Sequence, residues 1–151
     1  MKKGFTLLEL IIVIIIVGLL ATVGLTQYTV IVEKGRLSEA KANLGIMRKL
    51  AHEYYLKNGT LLTITDADVG VGTGLLPSSC VSTNYYRYYS YYPNADRVDV
   101  FAARGKSGGK PPQWTGANYC IATRIVPNGT DIFNLCGCGS GCSEIGLVWN
   151  D

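Results

Sequence analysis

Residues 1–32 read MKKGFTLLELIIVIIIVGLLATVGLTQYTVIV, and the arrangement of the whole chain depends on this stretch. No charged residue occurs between Glu9 and Glu33, and most residues between them are Leu, Ile or Val. The run exceeds the roughly 20 apolar residues that a helix needs to cross a bilayer. The sequence therefore predicts a membrane-spanning segment.

The β-branched block at residues 11–17 would favour a buried strand in water. In hydrocarbon, however, every backbone N–H and C=O must be paired within the segment, which favours a helix. Lys2 and Lys3 precede the apolar run without an acidic neighbour. By the positive-inside rule, the N-terminus is expected in the cytoplasm and everything after Val32 outside it.

Glu9 is the unusual residue of this run, because it places an ionisable group one helical turn inside apolar sequence. A charge at mid-bilayer costs on the order of 2.5–3.5 kcal/mol, so Glu9 needs a partner. Within the chain only Lys2 and Lys3 offer a cation. Cleavage after Gly4 would expose the α-amino group of Phe5, which a neighbouring copy could present to Glu9.

The sequence KKGFTLLELI at residues 2–11, followed by a long apolar helix, resembles the processing and assembly motif of type IV prepilins and of the pseudopilins of type II secretion. The resemblance covers residues 2–57. It implies cleavage by a prepilin peptidase between Gly4 and Phe5, N-methylation of Phe5, and Glu9 as the carboxylate that registers one subunit against the next. It also implies a precursor held in the inner-membrane bilayer, an inner-membrane assembly platform, and a homo-oligomeric filament that becomes an extracellular pilus or a periplasmic pseudopilus.

Many major pilins have a proline near the position of Thr26, where this chain has none. Gly18 and Gly24 are the residues expected to loosen the helix instead, since glycine is a poor helix former. An ordinary secretory signal fits poorly, because residues 21–24 make a weak small-x-small cleavage site. A plain signal anchor explains the two lysines but neither the Gly4-Phe5 pair nor Glu9.

The helical period continues into the polar sequence after residue 32. One apolar stripe recurs at spacings of three and four, at Leu37, Ala40, Leu44, Met47, Ala51 and Tyr54. We expect a solvated or inter-subunit surface from the charged residues Glu33, Lys34, Arg36, Glu39, Lys41, Arg48, Lys49 and Glu53. Asn58-Gly59 predicts a left-handed cap at the helix end.

The remaining sequence predicts a globular head. A loop with a short helix near residues 65–69, capped by Thr65 or Asp66, precedes a tyrosine-rich strand at residues 85–92. In that strand Tyr86, Tyr88, Ser90 and Tyr92 alternate with Tyr85, Arg87, Tyr89 and Tyr91. Further strands are expected at residues 97–103, 119–126, 131–135 and 145–149, with a turn at residues 127–130.

The predicted fold is α+β, a long N-terminal helix packed on an antiparallel sheet of three to five strands. The expected divisions are a leader at residues 1–4, a transmembrane or filament-core helix at 5–32, its amphipathic continuation at 33–57, and the head at 58–151.

All five cysteines lie in the part of the chain expected outside the cytoplasm, where disulfides are the default: Cys80, Cys120, Cys136, Cys138 and Cys142. We expect Cys80 to pair with Cys120, and Cys142 to close a short loop with Cys136 or Cys138. One thiol is then left over. A thiolate metal site lacks an evident fourth ligand, since the single histidine, His52, is on the helix, so we predict no metal.

The formal net charge of +3 gives no electrostatic case for nucleic-acid binding. With one histidine and no phosphate-binding loop or nucleophile motif, the sequence favours neither an enzyme nor a cofactor. The leading hypothesis is a structural subunit of a type IV pilus-like filament. The alternatives are a pseudopilin of a type II secretion system and a membrane-anchored binding domain that uses the tyrosine strand.

Overall fold

The computed structural model describes residues 5–81, 83–104 and 119–138 of the 151-residue chain, apart from the side chains of Thr26, Tyr92 and residues 134–138. Its first element is a helix, α1, at Leu7–Asn58, 52 residues long. Thr6 caps its start, and Gly59 ends it with φ 72°, its backbone N–H bonded to the Tyr55 carbonyl. The predicted left-handed cap is confirmed, because glycine adopts positive φ without a steric penalty.

Four strands follow in one antiparallel sheet of order β1-β2-β3-β4. Their bounds are Tyr86–Asn94, Arg97–Arg104, Tyr119–Ile125 and Ile132–Cys138. The α+β prediction is confirmed. The fourth strand extends to Cys138, beyond the predicted end at residue 135, and the strand predicted at residues 145–149 lies outside the described residues.

The core lies between one face of the sheet and the second half of α1. The predicted helix stripe is buried from Leu37 to Ala51, and Tyr54 is half-buried against it. The sheet contributes Tyr86, Tyr88, Val98, Val100, Ala102, Tyr119, Ile121 and Ile125. Burial of this stripe holds the helix on the sheet.

The tyrosine strand divides its side chains as the pleat predicts. Tyr86 and Tyr88 are buried toward the helix, whereas Arg87 and Tyr91 are exposed on the opposite face. Tyr85 departs from the expected alternation, because it precedes β1 and packs against the core.

The segment between α1 and β1 covers the free edge of β1. The Tyr88 N–H donates to the Pro77 carbonyl at 2.9 Å, and the Ser90 N–H donates to the Asp66 carboxylate at 2.6 Å. The short helix is a single 3-10 turn at Ala67–Val69. Neither residue predicted as its cap, Thr65 or Asp66, accepts a capping bond with its side chain. Asp66 accepts from Ser90 instead, and Thr65 donates from its N–H and its hydroxyl to the Asp68 carboxylate at 2.8 and 2.7 Å.

Candidate functional site

The candidate site is α1 itself, from its N-terminus to its junction with the head. At the N-terminus, Thr6 and Glu9 form a reciprocal capping box. The Thr6 N–H and hydroxyl donate to Glu9 Oε2 at 2.9 and 2.7 Å, and the Glu9 N–H donates to Thr6 Oγ1 at 3.3 Å. Thr6 is thus a hydrogen-bond partner of the Glu9 carboxylate that the sequence analysis did not name, although it supplies no cation.

The apolar half of α1 is exposed over most of its length. Every described side chain from Phe5 to Tyr28 is exposed, and Phe5 is 83% exposed. By length and composition, α1 is a candidate membrane-spanning helix. A surface this apolar is not stable in water, so lipid or other protein chains have to cover it.

At the junction with the head, Glu33 is completely buried. The Arg104 guanidinium donates to both carboxylate oxygens, from Nε at 2.6 Å and from Nη2 at 3.3 Å. The Tyr119 hydroxyl donates to Oε1 at 2.8 Å. The expectation that Glu33 belongs to the solvated face is wrong, since it lies four residues before Leu37 and shares its stripe.

Burial disfavours the charged form of Glu33. The hydrogen bonds from Arg104 and Tyr119, the charge of Arg104 and a further bond from Arg36 outweigh it, so the pKa of Glu33 is lowered. The Tyr86 and Tyr119 hydroxyls are 2.6 Å apart. Because Tyr119 donates its proton to Glu33, Tyr86 donates to Tyr119. Burial is the main reason why the pKa values of both tyrosines are raised.

Two arginines hold Tyr85 beside this cluster. The guanidinium of Arg36 lies 4.5 Å from the centroid of the Tyr85 ring and that of Arg104 lies 5.2 Å from it. Arg104 also donates from Nη1 to the Tyr85 carbonyl at 3.0 Å. We call Glu33, Arg104, Tyr119, Tyr86 and Tyr85 the junction cluster. It joins α1, β1, β2 and β3 where the helix enters the head.

A second polar contact ties the β3–β4 turn to the helix. Asp131 accepts hydrogen bonds from Arg48, from His52 Nε2 at 3.0 Å and from the Val126 N–H at 2.8 Å. Burial opposes ionisation, but these bonds lower the pKa of Asp131. His52 is thus half-buried and serves as a structural partner, which the sequence did not indicate.

The outward face of the sheet carries an aromatic pair and an ion pair. The rings of Tyr89 and Phe101 stack with their centroids 5.0 Å apart. Arg124 binds Asp99 with two hydrogen bonds of 2.9 and 3.1 Å. One face of Tyr89 is occupied by Phe101, and the Arg87 guanidinium lies 5.5 Å from the ring centroid. This arrangement leaves little of the Tyr89 ring for stacking on a ligand.

The cysteines differ from expectation. Cys80 is a half-buried free thiol, whereas Cys120 is in a disulfide, so the expected Cys80–Cys120 pair is wrong. Cys120 lies in β3, whereas Cys80 precedes β1, and β2 lies between these two strands. The side chains of Cys136 and Cys138, and all of Cys142 and Gly4, lie outside the described residues.

Residues 1–25 match the family model described as the prokaryotic N-terminal methylation motif. The chain carries a prepilin-type N-terminus. Its relatives are type IV pilins and fimbrial proteins. They include the fimbrial protein EcpC of Eikenella corrodens, 43% identical over 58 residues, which are 38% of each chain.

The type IV major pilin protein PilE1 of Neisseria gonorrhoeae is 44% identical over 59 residues, 39% of this chain and 36% of that one. A fimbrial protein of Pseudomonas aeruginosa is 27% identical over 110 residues, 72% of this chain and 71% of that one. The match to EcpC and PilE1 thus spans less than two fifths of their length. No solved structure is significantly similar to the chain.

Proposed function

We propose that this chain is a structural subunit of a type IV pilus-like filament, stored in the inner membrane and then polymerised through α1. One observation carries the proposal. The helix that begins within the methylation motif is exposed and apolar along its first half, while one stripe of its second half is buried under a folded head. A bilayer before assembly and neighbouring helices after it would cover that surface in turn.

The processing step belongs to the same proposal. Cleavage between Gly4 and Phe5 would place a new amino group next to Thr6, the residue that caps α1. Glu9 lies one turn further on, with its carboxylate held by Thr6. An amine of a second subunit would then bind a carboxylate that is already oriented, which reduces the entropy lost on assembly.

The test combines microscopy and mass spectrometry. Filaments sheared from cells that express the chain should contain it, and its N-terminal peptide should begin at an N-methylated Phe5. A bulky substitution, Gly4→Leu, should leave unprocessed precursor in the membrane, whereas Gly4→Ala serves as the matched small control. An intact Met1 with no polymer would refute the proposal and favour a membrane-anchored binding domain.

A pseudopilin is the second candidate, and Thr26 in place of the proline common in major pilins favours it. The two candidates differ in where the polymer is found. Surface filaments that contain the chain support the pilus subunit, whereas a processed pool confined to the periplasm supports the pseudopilin.

A further inference from the structure

Positive charge is concentrated on α1 directly after its apolar run. Lys34 is exposed and forms no ion pair with any residue that the structure describes. Arg36 pairs with Glu33 at 3.1 Å, and its side chain is 19% exposed. The Glu33 carboxylate is already bound by Arg104, which donates to both of its oxygens. Among the described residues at this level of the helix, positive charges therefore outnumber negative ones.

The neighbouring sequence supplies no compensating acidic side chain. The first exposed acidic residue of α1 beyond Glu33 is Glu39, about 9 Å further along the helix axis. Arg104 and Tyr119, which both bind Glu33, end β2 and begin β3. The sequence between them, residues 105–118, contains two lysines and no Asp or Glu. The sequence that leaves and re-enters the sheet beside Glu33 thus adds no negative charge.

The length of the apolar run places Lys34 at the level of lipid head groups. About 23 uncharged residues separate Glu9 from Glu33, which is about 35 Å of helix. The hydrocarbon core of a bilayer is about 30 Å thick, and the head groups extend it to about 40–45 Å. With Glu9 at the inner boundary, Lys34 lies among the head groups of the outer leaflet. Tyr28, 62% exposed, lies about 9 Å before Lys34, near the hydrocarbon boundary where tyrosine is enriched.

The direction of helical side chains favours a contact with lipid. The Cα–Cβ bonds of an α-helix tilt toward its N-terminus, and the N-terminus of α1 is the end within the membrane. Lys34 therefore leaves the helix toward the bilayer. Its methylene groups can lie along apolar surface while its ammonium group reaches the phosphate oxygens.

From these observations we propose that Lys34, with Arg36 beside it, binds the anionic head groups of phospholipids in the outer leaflet of the inner membrane. The inference rests on the proposed storage of the subunit in that membrane, and it names the class of lipid that the stored subunit contacts. Each basic residue near an anionic surface strengthens binding by about fivefold. The contact fixes the depth of α1 in the bilayer, and it has to be broken when the subunit leaves the membrane.

The test measures lipid preference in a bilayer. The full chain is reconstituted into phosphatidylcholine vesicles that contain spin-labelled phosphatidylglycerol or spin-labelled phosphatidylcholine. Electron paramagnetic resonance then measures the fraction of each label that is immobilised at the protein surface. The wild type should prefer phosphatidylglycerol at least about threefold, and Lys34→Gln should reduce that preference at least about twofold. Adding Arg36→Gln should reduce it further. These differences should disappear in about 1 M salt, where the Debye length is about 3 Å.

Two control variants accompany Lys34→Gln. Lys34→Arg retains the charge and should retain the preference. Lys57→Gln removes another exposed lysine, about 35 Å further along α1, and should change nothing. Lys2 and Lys3 are present in every variant, so the differences between variants report on the residue that was changed.

The outcomes separate this inference from the proposed function. Equal preference in wild type and Lys34→Gln, or an equal loss in Lys57→Gln, would overturn the head-group contact and leave the proposed filament unaffected. A chain that shows the lipid preference but never forms filaments in cells would overturn the proposed function while supporting the contact.

Discussion

At the scale of single residues, Glu33 shows how position on a helix outweighs chemical type. It is the first charged residue after the apolar run, yet it is buried because it continues the stripe of Leu37 and Ala40. Its charge is tolerated because Arg104 and Tyr119 both donate to it. Removing one partner from such a pair leaves the other buried and uncompensated.

Glu33→Gln should therefore destabilise the head by about 3–5 kcal/mol, the range for a broken buried ion pair. Denaturant unfolding of the full chain in detergent, followed by circular dichroism, measures the change. Glu53→Gln is the matched control, since Glu53 forms only an exposed pair with Lys49, and should change the stability by less than about 1 kcal/mol. Equal effects from the two substitutions would refute the role given to the junction cluster.

The lowered pKa values of Glu33 and Asp131 predict how stability depends on pH. At acid pH the unfolded chain binds more protons than the folded chain, because in the unfolded chain these carboxyls titrate near their ordinary pKa values of about 4.3 and 3.9. Their contribution is present above those values and is lost as the pH falls through the lower folded pKa values. The melting temperature should be steady above about pH 5 and fall below about pH 4.

Asp131→Asn should make the fall of the melting temperature at acid pH less steep, because the substituted side chain no longer titrates. Thermal melts of the full chain between pH 3 and 7 measure the change. A melting curve with the same acid dependence in wild type and variant would argue against a contribution from Asp131.

At the scale of the element, one glycine inside α1 and the glycine that caps it differ in the backbone conformation that they adopt. Gly59 ends the helix with φ 72°, a conformation that costs other residues about 1–2 kcal/mol. Gly45 is inside the helix and exposed, with open space where a Cβ would lie. The two positions therefore predict opposite effects of the same substitution.

Gly59→Ala should lower the stability of the head by about 1 kcal/mol or more. Gly45→Ala should raise it by up to about 1 kcal/mol, because alanine is the better helix former. Thermal melts of the detergent-solubilised subunits compare the two. Stabilisation by Gly59→Ala would contradict the left-handed cap.

At the scale of the whole molecule, the chain has one half that a membrane or other subunits must cover and another half that folds around its own core. Glu9→Val removes the carboxylate but keeps the apolar helix, so insertion into the membrane should be unchanged while filament yield falls at least tenfold. Fractionation and electron microscopy measure these two properties. Glu53→Gln, which neutralises an exposed carboxylate in the part of α1 beside the head, tests whether loss of any helix carboxylate has the same effect.

The redox state of the head is also a property of the whole molecule. A maleimide applied without a reductant to the denatured chain should label Cys80 and leave Cys120 unlabelled until a reductant is added. Peptide mapping by mass spectrometry identifies the labelled residues. Labelling of Cys120 before reduction would contradict its disulfide.

Local periodicity explains what the sequence alone determined about this protein. The apolar run, the stripe from Leu37 to Tyr54, the cap at Gly59 and the alternation of Tyr86 and Tyr88 all follow from patterns within a few residues. The processing motif is equally local, and its similarity to pilins could be recognised without coordinates.

Only the tertiary structure decided the contacts between distant residues. Glu33 and Arg104 are 71 positions apart, and His52 and Asp131 are 79 apart, so no local pattern links either pair. The strand order β1-β2-β3-β4 likewise places β2 between β3, which contains Cys120, and β1, the strand that follows Cys80. Such pairs form because packing of the helix stripe on the sheet brings distant polar groups together. Those groups have to pair with each other because an unpaired polar group is costly once it is buried.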